Sequence, residues 1–161
     1  MPVVELTSWE FKACVDLANV RMAVSNSSEM NHASTYKRTY FERVQQEILG
    51  ACGEMALCKT LGKFFTHSVN TFHHEPDIPP DIEVRTTDLQ NGCLVIRDND
   101  PEDRWYFLVI ANAPRFKVVG FIKGSAAKKT EWLKNPHGHR EAWFVPQEAL
   151  TLMKSDQDET T

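Results

Sequence analysis

The chain has 161 residues, of which 42% are hydrophobic and 25% charged, and its formal net charge is −4. This length suits one domain, and no apolar run approaches the ~18 residues of a membrane-spanning helix. The N-terminus lacks the basic and apolar regions of a signal peptide, so we expect a cytoplasmic protein without membrane contact. The four cysteines form no CxxC pair, which argues against a zinc site or a disulfide framework.

The N-terminal third is predicted to be helical. Apolar residues at helical spacing predict a first helix from Ser8 to about Met22, with Ser8 as its cap. Residues 25–32 are polar and without a pattern, which predicts a loop. A second, long helix is predicted from about Ser34 to Leu61, with Gly62 as its stop.

From residue 64 onward the hydrophobic pattern becomes strand-like. The predicted strands are 65–72, 82–87, 93–97 after an Asn91-Gly92 hairpin turn, 105–110, 116–122 and 142–145, with short helices at 126–133 and 146–150. This order predicts one α+β domain over residues 1–153, with a mixed, mostly antiparallel sheet flanked by the long N-terminal helix. Residues 154–161 are predicted to be a flexible tail.

Positive charge is concentrated in one segment. Between Arg115 and Arg140 there are seven basic residues and one acid, Glu131, so the segment carries +6 and the rest of the chain −10. Such asymmetry is typical of a phosphate-facing surface on an acidic body, and an ordinary solvated face is the alternative. The predicted nucleic-acid-binding residues are Lys117, Lys123, Lys128, Lys129, Lys134 and Arg140.

Two acidic segments suggest a metal site. Glu54 stands among small apolar residues of the long helix, where a carboxylate is costly without a partner or a cation. Glu83 and Arg85 share one face of a predicted strand, and Asp77 and Asp81 precede it. Carboxylates suit a hard cation such as Mg²⁺. The alternatives are a surface Glu54, an ion pair of Glu54 with Arg85, and an ordinary acidic loop.

These segments resemble the PD-(D/E)XK nuclease superfamily. The order Gly53-Glu54, Pro76-Asp77, Glu83-Val84-Arg85 matches its motif, and the chain looks like a family of small proteins from tailed phages and bacteria. The wider likeness runs from about Tyr40 to Leu150 and includes 50–56, 69–72, 83–86, 118–122 and 143–147.

The resemblance implies a restriction-endonuclease-like core, Mg²⁺ or Mn²⁺ as the cofactor, and a nucleic-acid substrate, DNA rather than RNA. It implies that Glu54, Asp77 and Glu83 are the metal ligands, and that these three residues and Arg85 form the catalytic set. A phage origin would place the protein in a host cytoplasm.

Arg85 stands where the superfamily has lysine. Arginine does not lose its proton and is a poor general base, although it can hold a phosphate. Lys59 is a substitute lysine, and Asp81 is an alternative ligand to Asp77. The first hypothesis is therefore a metal-dependent nuclease acting on DNA phosphodiesters. The alternative is a catalytically inactive nuclease-fold protein that binds nucleic acid or a host protein as a regulator or inhibitor.

Other motifs have plainer structural interpretations. His73, His74, His137 and His139 could form a transition-metal site but are more typical of exposed loops. Residues 98–103 resemble a calcium loop without its glycine and terminal glutamate, so a solvated turn is predicted. Trp105 and Trp143 are predicted to be core. Trp132 is the aromatic residue most readily placed against a base, although core packing is favoured for it as well.

Overall fold

A computed structural model describes residues 1–28, 39–69, 75–136, 138 and 140–154, with the side chains of 25–28 excepted. Its elements are β1 Val3–Glu5, α1 Ser8–Ser28, α2 Tyr40–Leu61, β2 Ile82–Thr87, β3 Leu94–Ile96, β4 Trp105–Asn112, β5 Arg115–Lys123, α3 Gly124–Ala127, β6 Leu133–Lys134, β7 Ala142–Val145 and β8 Thr151–Leu152. Single 3₁₀ turns occur at Thr130–Trp132 and Gln147–Ala149. Within these ranges no helix has the length and apolarity to cross a membrane.

The two long helices pack against each other, and each begins with a reciprocal cap. Thr7 and Glu10 exchange hydrogen bonds at the start of α1, so the cap is Thr7 and not the predicted Ser8. Thr39 and Glu42 do the same for α2. Gly62 ends α2 in the left-handed conformation (φ 62°), which confirms the predicted stop.

The main sheet has the order β1-β5-β4-β2, with β8 also paired to β5. Among the strands of the described residues, β2 and β4 pair in parallel and the other neighbours pair antiparallel. The α+β class and the mixed, mostly antiparallel sheet with its N-terminal helices are thereby confirmed. The restriction-endonuclease-like core stays a prediction.

A second, three-stranded sheet has the order β3-β7-β6. The Asn91-Gly92 hairpin was therefore a wrong prediction. A turn is present, with the Gly92 amide donating to the Leu89 carbonyl at 2.9 Å, but it connects strands of two different sheets. The pairing partner of β3 is β7, about 50 residues further along the chain, and local sequence does not encode that choice.

Each face of the main sheet covers its own hydrophobic core. Val84, Phe107 and Val109 face α1 and α2, whereas Leu108 and Ile110 face the second sheet. Strand β4 is thus apolar on both faces, as its continuous apolar run predicted. The β2 strand shares this two-sided environment, and this decides where its charged residues lie.

Several helices and strands have bounds that differ from the predicted ones. Helix α1 continues to Ser28, past the predicted end at Met22. Residues 65–69 of the predicted strand 65–72 form no strand, and 70–72 fall outside the described residues. The predicted helix 126–133 is instead the short α3, a 3₁₀ turn and the start of β6. The four loop histidines considered as a possible transition-metal site, His73, His74, His137 and His139, lie outside the described ranges.

Candidate functional site

The first part of the site is an ion pair between the two long helices. Both guanidinium NH₂ nitrogens of Arg21 donate to the two carboxylate oxygens of Glu54, each at 2.8 Å. The Arg21 Nε donates to the Ser68 carbonyl at 3.0 Å. Glu54 is only 6% exposed. We call Arg21 and Glu54 the helix-side pair.

Glu54 is buried because the preceding residue brings α2 against the sheet. A Cβ added to Gly53 would lie 1.8 Å from the Thr86 hydroxyl oxygen, so only glycine allows this approach of α2 to β2. The neighbouring carboxylate is thereby enclosed between α2, α1 and the sheet. A bidentate arginine is one of the few partners that make such burial tolerable.

The second part of the site lies on the opposite face of β2. Glu83 accepts a short hydrogen bond from Arg104 and a 3.5 Å contact from Arg85. Arg85 also donates to Asp100 Oδ2 at 2.9 Å and to the Val95 carbonyl at 3.3 Å. We call Glu83, Arg85, Asp100 and Arg104 the sheet-side network.

Tyr106 and Asp100 complete the surroundings of Arg85. The guanidinium carbon lies 5.3 Å from the centre of the Tyr106 ring, a cation–π contact. Asp100 is 2% exposed, and its Oδ2 also accepts from the Arg97 amide at 2.8 Å. Its other oxygen, Oδ1, is buried and has no hydrogen-bond partner among the described residues. Arg85 is therefore held on one side by the second sheet.

Asp77 lies between the two parts, at the free edge of β2. Its Oδ2 accepts from the Val84 amide at 2.8 Å, and Ile78 exchanges backbone hydrogen bonds with Ile82 at 3.0 Å. Because β4 occupies the other edge of β2, the segment around Asp77 covers the remaining edge. Asp77 is thus within electrostatic reach of carboxylates on both sides of the strand.

The pKa values of the two buried glutamates report this arrangement. Burial raises the pKa of Glu54 to about 7, the charge of Asp77 adds to the rise, and the hydrogen bonds from Arg21 oppose it. Burial and then the charge of Asp77 raise the pKa of Glu83 to about 7, against Arg104 and Arg85. Both carboxyls therefore exchange protons near neutral pH.

The residue types fit a divalent cation, but their arrangement does not. Glu54 and Glu83 lie on opposite sides of β2, and the oxygens of both are engaged by arginines. Among the residues with described positions, no group of three or more His, Cys, Asp and Glu side chains is arranged to hold a metal ion. The Mg²⁺ or Mn²⁺ cofactor therefore stays a prediction.

Lys59, the substitute lysine, lies away from the buried glutamates, and Asp81, the alternative ligand, contributes a backbone contact. Lys59 Nζ donates to Glu10 at 2.9 Å and to the Glu5 carbonyl at 3.1 Å, beside the start of α1. The Asp81 carbonyl accepts from the Trp105 amide at 2.8 Å. The alternative ion pair of Glu54 with Arg85 is not formed, because Glu54 is paired with Arg21.

The predicted basic surface is divided by strand β5. Lys117 lies near the beginning of β5, opposite Val3, and Lys123 lies at its end. Lys128 is 12% exposed at the side chain and donates to the Asp98 and Asp100 carbonyls at 3.0 and 3.1 Å. The predicted basic residues are therefore spread from one end of β5 to the connection between β6 and β7. Three of them are exposed: Lys129, which lies between α3 and β6, and Lys134 and Arg140.

Three residues of the site were missed by sequence reasoning. Arg21 falls in the helical stripe Cys14, Leu17, Ala18, Met22, all buried, and a charge in such a stripe was a usable signal. Asp100 was assigned to a solvated turn, yet it is buried against Arg85. No feature of the sequence indicated a role for Arg104 in the site, apart from its position directly before a predicted strand.

A large groove lies away from the carboxylates. It encloses about 940 Å³ and is lined by residues including Phe11, Gln45, Asp88, Arg97 and Arg140. The lining includes Gln45 from the first turns of α2, and Asp88, which directly follows the end of β2. Glu54, Asp77 and Glu83 do not line it, so the volume of this groove says nothing about their chemistry.

Comparison of the chain with protein-family models, curated proteins and solved structures gave no match.

Proposed function

We propose that this chain is a nuclease-like domain that binds nucleic acid without using Glu54, Asp77 and Glu83 as a metal centre. The observation that carries the proposal is the engagement of both buried glutamates by arginines, Arg21 for Glu54 and Arg104 with Arg85 for Glu83. In this arrangement internal guanidinium groups supply the positive charge that a cation would supply.

Arg85 adds a second, independent argument. A catalytic residue at the superfamily's lysine position has to reach the scissile group. Arg85 is instead bound to Asp100 at 2.9 Å and to the Val95 carbonyl at 3.3 Å, and it lies over Tyr106. These contacts support a structural role for Arg85 in joining the two sheets.

Nucleic acid is proposed as the partner because the chain keeps a basic segment on an acidic body. Lys129, Lys134 and Arg140 are exposed, and Lys134 and Arg140 lie at the beginning and end of the connection between β6 and β7. Exposed lysine and arginine neutralise phosphates and release counterions, which makes binding salt-dependent.

The test is binding measured by fluorescence anisotropy in EDTA over a range of salt concentrations, on single-stranded, duplex and branched DNA and on RNA. We expect salt-dependent binding without metal. The double variant Lys134→Gln/Arg140→Gln should lower the salt slope by about 0.9 for each duplex phosphate that the variant no longer neutralises. Lys12→Gln is the matched control, since Lys12 is an exposed lysine on α1.

The nuclease hypothesis retains one observation in its favour. The charge of Asp77 raises the pKa of both Glu54 and Glu83, so all three carboxylates belong to one electrostatic unit. Its test is a strand-cleavage assay with Mg²⁺ or Mn²⁺ on the same substrates, together with thermal unfolding in Mn²⁺. Cleavage that Glu83→Gln abolishes would overturn our proposal, as would strong Mn²⁺ stabilisation that disappears in Glu54→Gln.

A further inference from the structure

Three of the four tryptophan rings are each in cation–π contact with a lysine, and all three lysines come from the seven-residue stretch 123–129. The Lys123 ammonium lies 4.8 Å from the ring centre of Trp105, and the Lys129 ammonium lies 4.7 Å from that of Trp132. Lys128 lies 5.4 Å from the ring of Trp143, but it is largely buried and bonded to backbone carbonyls. Trp105 and Lys129 are exposed, whereas Lys123 and Trp132 are half-buried and Trp132 packs against the core beside the second sheet. Each of these two lysine–tryptophan pairs is therefore partly exposed.

Trp105 departs from its prediction as a core residue. It is 36% exposed, although it begins the central strand β4. Its ring meets Phe121 edge-on at 5.6 Å, and Phe121 in turn stacks on Phe107 at 5.0 Å. A solvent-facing indole supported by two packed aromatic rings is a rigid platform.

We infer that Trp105 with Lys123 and Trp132 with Lys129 form a binding surface for single-stranded nucleic acid, and we call these four residues the lysine–tryptophan surface. This inference rests on the proposed function and gives it a location and a substrate class. Every base offers a flat face that can stack on an indole, and the displaced ammonium can then contact a phosphate.

The single strand is favoured over the duplex because duplex pairing hides the base faces. Trp105 packs with the core on the helix side of the main sheet, and Trp132 packs against the core on the side of the second sheet, so one strand has to pass around the end of the main sheet to contact both. The two lysines are six residues apart, so their Cα atoms are at most ~22 Å apart, and the α3 turn shortens that distance. One oligonucleotide of about 12 residues, within the usual size range of single-strand sites, is long enough to reach both pairs.

The experiment uses the full chain and fluorescently labelled (dT) and (rU) oligonucleotides of about 12 residues, with a duplex of the same length. We expect single strands to bind more tightly than duplex. Trp105→Ala and Trp132→Ala should each weaken binding about tenfold, which corresponds to the stacking of one base. Trp9→Ala is the matched control, because Trp9 is exposed on α1, outside the surface.

A second pair of variants keeps the test decisive if an alanine variant does not fold. Lys123→Met and Lys129→Met keep both rings and remove the ammonium groups. We expect them to reduce the salt dependence of binding while the quenching of tryptophan fluorescence on binding persists. Circular dichroism establishes folding for every variant.

The outcomes separate this inference from the proposed function. If single strands bind and the tryptophan variants behave like Trp9→Ala, the lysine–tryptophan surface is overturned while nucleic-acid binding stands. Equal or tighter binding of duplex overturns the single-strand preference. If no nucleic acid binds at any salt concentration, the proposed function fails, and this inference fails with it.

Discussion

The helix-side pair and the sheet-side network hold the two glutamates of the predicted motif in different ways. Glu54 accepts two parallel hydrogen bonds from Arg21. Glu83 accepts hydrogen bonds from both Arg104 and Arg85, and Arg85 is also paired with Asp100. Strand β2 therefore separates carboxylates that the sequence motif groups together, because one lies on the side of the helices and the other faces the second sheet.

The largest effect is expected from breaking the helix-side pair. Arg21→Met leaves Glu54 buried without a cation, so we expect the free energy of unfolding at pH 8 to fall by about 3–5 kcal/mol. The decrease should be smaller at pH 5, where Glu54 can be protonated. Chemical denaturation at the two pH values measures both quantities.

The surface pair Lys12–Asp16 is the control for this prediction. Its side chains are 62% and 61% exposed, and Lys12→Met should cost less than about 1 kcal/mol. If Arg21→Met costs no more than Lys12→Met, then Glu54 is not held by a buried ion pair, and the contrast between the two parts of the site disappears.

The second largest effect is expected from disturbing the contact of Gly53 with Thr86, where α2 lies directly against β2. Gly53→Ala would place a Cβ 1.8 Å from the Thr86 hydroxyl, so α2 has to move away from β2. We expect destabilisation of about 2–3 kcal/mol. Gly50→Ala, three residues earlier in the same helix, meets no described atom within 4 Å and should stabilise by about 1 kcal/mol. Equal effects in thermal unfolding would contradict the close approach.

The elements with strong local patterns were predictable, whereas the site geometry was only partly so. Strand 82–87 and strand 142–145 have their predicted bounds, and Gly62 ends α2 as predicted, because alternation and a left-handed cap are local properties. The pairing of β3 with β7 and of β2 with β4 depends on long-range contacts that no local pattern contains.

The candidate site shows the same limit. Sequence reasoning singled out Glu54 as a costly carboxylate and Glu83 as a candidate metal ligand, and both are buried. It could not say which cations would meet them, because Arg21 and Arg104 come from positions 33 and 21 residues away. The spacing of a motif defines which side chains share a strand face, but it does not define what packs against that face.

A smaller effect is expected from restoring the superfamily's lysine in the sheet-side network. Lysine cannot reproduce the simultaneous contacts of Arg85 with Asp100, the Val95 carbonyl and the Tyr106 ring. Arg85→Lys should therefore destabilise by about 1.5 kcal/mol in urea denaturation. The exposed Arg115→Lys is the control, and its pair with Glu5 at 3.5 Å contributes little. Metal-dependent cleavage gained by Arg85→Lys would count against a purely structural role of Arg85.

The last prediction concerns the slope in the dependence of stability on pH. The pKa of Glu54 is about 7 in the folded protein and 4.5 for an ordinary glutamate, so between these values the folded state holds a proton that the unfolded state has released. The free energy of unfolding must then fall as the pH rises from about 4.5 to 7, by at most ~1.4 kcal/mol per pH unit for each such group. Glu83, with a pKa of about 7 as well, adds a slope of the same sign.

Glu54→Gln and Glu83→Gln assign this slope to the two parts of the site. Each variant should remove the contribution of one proton, and the double variant should abolish most of the slope between pH 5 and 7. Since Asp77 raises the pKa of both glutamates, removing its charge with Asp77→Asn should lower both pKa values and shorten the pH range of the slope from its upper end. A slope that Asp77→Asn leaves unchanged would mean that burial alone sets both values, and that the two sides of β2 are electrostatically independent.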